Sequence, residues 1–173
     1  MNLLCILALI SSVDLVFMKD SPDVMVRVVP EINVEEITIH YSFSGNQWGS
    51  TTVQRTDGAF NAALKTPDDV KVVGLYVVYD NSYRDDNDGS LYLYEVSIFP
   101  RFLMPISLQD LEVMLEQARK KISSGVHVSE AIRLLDYLDA MLPVLPYVEN
   151  TPAAAKRETL QQDVAVLKQQ VGH

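Results

Sequence analysis

The chain has a single cysteine, Cys5, so no disulfide can close within it, and cysteine usage leaves the redox compartment open. Positive charge is scarce. Fourteen basic residues against 23 acidic ones give a formal net charge of -9, which repels phosphate backbones and anionic lipid, so nucleic acid is not an expected partner. Histidine is almost as sparse: His40, His127 and His173 stand apart from one another and from Cys5, and no spacing suits zinc. Nucleophile elbows and phosphate-cradling glycine loops are missing. With no constellation that looks catalytic, a non-enzymatic role is expected.

A membrane-spanning run is missing too. The uncharged stretch MNLLCILALISSV ends at Asp14, short of the roughly 20 apolar residues that a spanning helix needs, so no integral span is expected. Its apolar part, Leu3 to Ile10, is followed by Ser11 and Ser12 and resembles the core and cleavage zone of a secretory signal, although no basic residue precedes it. A secreted, extracytoplasmic protein follows from that reading. The other reading makes residues 1–18 a buried first strand or short helix.

What the chain does have is globular composition, 48% hydrophobic and 21% charged over 173 residues. VMVRVV, residues 24–29, is β-branched and stops at Pro30; Ile37, Ile39, Tyr41 and Phe43 then alternate with polar residues. Gly45, Asn46 and Gly49 mark a turn around Trp48, and residues 51–56 read as a further strand. Asp57 and Gly58 are a two-residue hairpin signal, with Phe60, Ala62 and Leu64 alternating after it. VVGLYVVY, residues 72–79, is apolar on both alternating sets and predicts a central strand covered on both sides, with Gly74 marking a bulge or a close approach. LYLYEVSIF, residues 91–99, closes a set of roughly six strands, the pattern of a sandwich or small barrel.

Beyond Pro100 and Pro105 the apolar period changes from 2 to about 3.6. Ser107 and Asp110 form a capping box ahead of Leu108, Leu111, Leu115, Ala118 and Ile122, and Gly125 ends that helix. A second helix is expected from Ser129 to before Pro143, and a third after the cap Thr151 and Pro152, with Leu160, Val164, Leu167 and Val171 on one face. The expected fold is α+β: an antiparallel β-sandwich over 24–99, immunoglobulin-like or carbohydrate-binding-like, followed by a three-helix segment over 107–171.

The loop from Asp80 to Gly89 sets four aspartates within nine residues, which repel unless water, a cation or backbone amides offset them. Calcium is one candidate. Counted from Arg84, residues Asp86, Asp88, Gly89, Leu91 and Glu95 fall where an EF-hand loop places ligands, glycine, apolar residue and closing glutamate. Arg84 takes a ligand position and the flanks are strands, so a calcium site here would be of another kind, on Asp85, Asp86 and Asp88. The plain alternative is a solvated turn whose aspartates accept backbone hydrogen bonds.

A sugar is the second candidate. Trp48, then Asp57 and Phe60, then LYVVY ending at Tyr79, then RDDNDGSLY from Arg84 to Tyr92 follow one another in order. This resembles the β-sandwich modules that bind starch or glycogen, including those of phosphatase glycogen-targeting subunits, whose pattern ends in W-D-N-N-x-x-x-N-Y. Asp85, Asn87 and Tyr92 match that motif, whereas Arg84, Asp86 and Leu91 depart from it. A similar pattern occurs in immunoglobulin-like sandwiches at the amino termini of larger bacterial exported proteins. The resemblance implies a glucan or other glycan held by Trp48, Tyr83, Asp85, Asn87 and Tyr92. Trp48 taken alone is more often a partly buried rim residue of a sandwich.

Two functions are therefore expected: a non-catalytic binding or accessory module, or an assembly protein whose helices join a second copy or a partner. Apolar helix stripes without an intramolecular partner would mark the second.

Overall fold

The structure, a computed structural model, describes residues 12–18, 21–80, 82–87, 89–98 and 101–172. Nine strands precede three α-helices among these residues. They are β1 (Ser12–Phe17), β2 (Val24–Val29), β3 (Glu36–Phe43), β4 (Trp48–Gln54), β5 (Phe60–Leu64), β6 (Val72–Tyr79), β7 (Tyr83–Asp85), β8 (Tyr92–Ile98) and β9 (Arg101–Ile106), then α1 (Leu108–Ser124), α2 (Val128–Met141) and α3 (Pro152–Gln170). Sheet A runs β1-β2-β5 and sheet B runs β4-β3-β6-β8-β9, with β7 on β6. Every pairing is antiparallel.

The sheets enclose one core: Val24, Val26, Val28 and Phe60 from sheet A meet Ile37, Ile39, Leu75 and Val77 from sheet B. A second core lies on the other side of sheet B, where Val72, Leu91, Leu93 and Ile106 meet Leu111, Leu115, Leu135, Leu138, Leu160 and Val164 of the helices. The helices are thus the third layer of a β/β/α stack. Burying each such leucine or valine stabilises by roughly 1.5–3 kcal/mol, and these side chains pack both against one another and against sheet B.

That arrangement explains the double apolar pattern of β6. Val73, Leu75, Val77 and Tyr79 face the sandwich while Val72 faces the helices. Gly74 marks the close approach: a Cβ there would lie 2.8 Å from Pro146 and 3.0 Å from Leu93. Helix ends follow the sequence signals as well. Ser107 and Asp110 form the capping box, Gly125 ends α1 in the left-handed region at φ 68°, and the Thr151 side chain accepts from the Ala154 amide.

Two expectations are corrected. Asp57 and Gly58 do form the tight turn, both at positive φ, but only Thr56 and Ala59 bridge across it. β4 then pairs with β3 in sheet B while β5 pairs with β2 in sheet A, so the turn is a corner between sheets and not a hairpin. The physical reason is that the two strands contribute to one core from opposite sides. Second, the strands extend beyond 24–99. β9 follows Pro100 and tolerates Pro105 because it is an edge strand of sheet B. A first strand is one of the two readings of residues 1–18, and β1 joins sheet A over 12–17; the apolar run before it, and with it the signal reading, lies outside the described residues.

Candidate functional site

The outer face of sheet B is only partly covered. Trp48 and Tyr76 are half-buried against the helical core. Their rings are 5.3 Å apart at 55°. The segment after α2 straps this end down. A 3-10 turn, Leu142–Val144, leads into it, and the Gly45 amide donates to the Val144 carbonyl at 2.7 Å. The Trp48 indole N–H donates to Asn46 Oδ1 at 2.9 Å and to the Tyr147 carbonyl at 3.2 Å. Trp48 is therefore half-buried and tied to the strap through its indole N–H.

Past Tyr76 the face opens to solvent. β3 and β4 are in register with Thr38 opposite Thr52, His40 opposite Ser50 and Glu36 opposite Gln54. Strand alternation turns all six outward. Thr38 and Thr52 hydroxyls bond at 3.1 Å, and the Gln54 amide donates to the Glu36 carboxylate. His40 stacks on Tyr76 with centroids 4.6 Å apart and planes 6° apart. The Arg84 guanidinium lies over the same ring, 4.1 Å from its centroid. Partial burial, and then the Arg84 charge, hold the His40 imidazole below the usual histidine range.

The acidic loop is used internally. Asp85 is 7% exposed and accepts the Tyr92 hydroxyl at 2.9 Å and the Tyr79 hydroxyl at 3.4 Å. Burial, followed by the bond to Asp85, raises the Tyr92 phenol well above the ordinary tyrosine range. Asp86 faces the other way, 3.0 Å from Arg84 Nε, and accepts the Gly89 amide at 2.8 Å. Asn87 takes φ 55° and donates to the Leu91 carbonyl at 3.0 Å, tying the turn to β8. Tyr83 is 41% exposed and stacks on Tyr79 at 5.9 Å.

Of the residues expected to bind sugar, Asp85 and Tyr92 are thus brought together, but to each other. Trp48 sits apart under the strap, and Tyr83 and Asn87 reach solvent. Of the expected calcium ligands, Asp85 and Asp86 are turned to opposite sides, and Asp88 lies outside the described residues. No cluster of three histidine, cysteine or acidic side chains suited to a metal occurs among the described residues.

The sequence reading missed the trio His40, Tyr76 and Arg84. Its members are far apart in the chain, and only the register of β3 with β6 and of β6 with β7 aligns them. Comparison of the chain with known protein families, curated proteins and solved structures finds no match. Among the described residues, no helix is long and apolar enough to cross a membrane.

Proposed function

We propose that the chain is a non-catalytic binding or accessory module that takes a neutral glycan, a glucan foremost, along the open strip of sheet B. The observation that carries this is where the helical layer ends: outward of Trp48 and Tyr76 the face carries the hydroxyls of Thr38, Ser50 and Thr52, the amide of Gln54 and the carboxylate of Glu36. Hydroxyl, planar amide and carboxylate groups in a row match the alternating donors and acceptors of a sugar chain. Tyr83 stacks on Tyr79 on the other face of sheet B and so stands outside the strip. Trp48 bounds the strip on its own face, and Asp85 and Tyr92 brace sheet B from the other. The resemblance to starch- and glycogen-binding sandwiches supports the same ligand class.

Assembly through the helices has lost the feature that motivated it. The expected stripes, Leu111, Leu115, Leu135, Leu138, Leu160 and Val164, are buried inside the chain.

Titration calorimetry with maltoheptaose, preceded by a glycan array, tests the proposal. The double variant Thr52→Ala/Gln54→Ala is expected to lose about tenfold in affinity, or ~1.4 kcal/mol. If no glycan binds, or if the double variant binds as the parent does, the proposal is wrong.

A further inference from the structure

Tyr76 is a ring with two claimants. His40 comes to it from β3 and Arg84 from β7, and these strands flank β6 on opposite sides. The imidazole lies nearly parallel to the ring at 4.6 Å, and the guanidinium is 4.1 Å from the ring centroid. With His40 neutral, one cation serves one aromatic quadrupole and the arrangement is stable. Adding a proton to His40 changes the balance twice. An imidazolium binds a ring face more strongly than an imidazole does, and it also repels the guanidinium that shares the ring.

The loser of that competition is set by the neighbours. Across the face from His40, β4 presents only uncharged groups, Trp48, Ser50 and Thr52; β6 presents Tyr76; and β7 presents Arg84 backed by Asp86. Along β3 the ionisable residue sharing this face is Glu36. His40 is held by its strand, and among the described residues no carboxylate pairs with it. Arg84 has a long side chain that is already 3.0 Å from Asp86. It is free to leave the ring at little cost.

Resting on the reading of this strip as a binding face, we propose that His40 is an acid-operated gate on it: its protonation expels Arg84 from Tyr76 and frees that ring to stack against a bound sugar. The gate opens on the acid side of the ordinary histidine range, because the folded surroundings disfavour the proton. Binding at the strip is then stronger in mild acid than at neutral pH.

The full chain, labelled for NMR, reports this without any ligand. Between pH 8 and pH 4.5 the His40 ring protons and the Arg84 Nε–H should shift together with one midpoint below 6.5, and His40→Gln should abolish the Arg84 transition. Arg84→Gln is the second variant. It leaves His40 in place and should raise the His40 midpoint by removing the neighbouring charge. An Arg84 signal that stays still while His40 titrates, a transition that persists in His40→Gln, or a His40 midpoint unmoved by Arg84→Gln would each overturn the gate. Maltoheptaose titrated at pH 5 and pH 7.5 separates the two ideas. Tighter binding at pH 5 supports both; equal binding at the two values overturns the gate alone; a coupled NMR transition with no binding at either value keeps the gate and removes the glycan.

Discussion

Pro146 rests directly on Gly74, so closely that a methyl group on the glycine would lie 2.8 Å from the proline ring. This contact joins the strap after α2 to the central strand of sheet B. Gly74→Val puts a branched side chain where only a hydrogen fits and should cost about 1–3 kcal/mol through overpacking. Urea denaturation measures it. A variant as stable as the parent would mean that the strap lies elsewhere in solution.

The Asp85 carboxylate makes a different kind of tie, between the acidic loop and the sandwich. Asp85→Ala leaves the Tyr92 hydroxyl without its 2.9 Å partner, and the expected loss is about 2–3 kcal/mol. Asp86→Ala removes a part-exposed pair with Arg84 and the acceptor of the Gly89 amide, and should cost about 1 kcal/mol, less than Asp85→Ala. Equal losses in the two variants would contradict the division of the loop into one buried and one surface carboxylate.

Two phenols predict an alkaline weakness. Burial and then hydrogen bonds to carboxylates raise Tyr92, on Asp85, and Tyr137, 2.8 Å from Glu95, above their ordinary value near 10.0. The unfolded chain therefore loses these protons first. Their contribution to stability is complete below pH 10 and falls away as pH rises past it. Melting temperatures measured from pH 8 to pH 11 should drop more steeply for the parent than for Tyr92→Phe/Tyr137→Phe, and parallel curves would show that neither phenol is linked to folding.

At the start of α1, the Ser107 hydroxyl accepts from the Asp110 amide at 3.1 Å and the Asp110 carboxylate accepts from the Ser107 amide at 2.9 Å. Ser107→Ala should cost about 1 kcal/mol. Because α1 is docked, the loss should appear in global unfolding and not as fraying of the helix alone, which amide exchange along α1 distinguishes.

Much of the architecture was legible because it rests on local chemistry. The two-sided apolar pattern of β6 announced a covered central strand, and Ser107, Gly125 and Thr151 announced helix ends. The Asp57-Gly58 turn was legible as a turn, but whether its flanking strands stay paired depends on β2 and β3, which no local signal names. β9 was hidden by Pro105, since proline stops a strand in the interior of a sheet and not at its edge. Of the site, the loop was visible as an acidic cluster, yet the direction of each side chain depends on pairing with β6. His40, Tyr76 and Arg84 become neighbours only through register.

The helices are a layer of the fold, and they leave one strip of sheet B open. Unfolding in guanidinium chloride, followed at once by the single tryptophan, Trp48, and by circular dichroism at a helix wavelength, tests this most directly. The account predicts one transition with the same midpoint for both signals. Helical signal lost at lower denaturant, while Trp48 still reports a native environment, would contradict it.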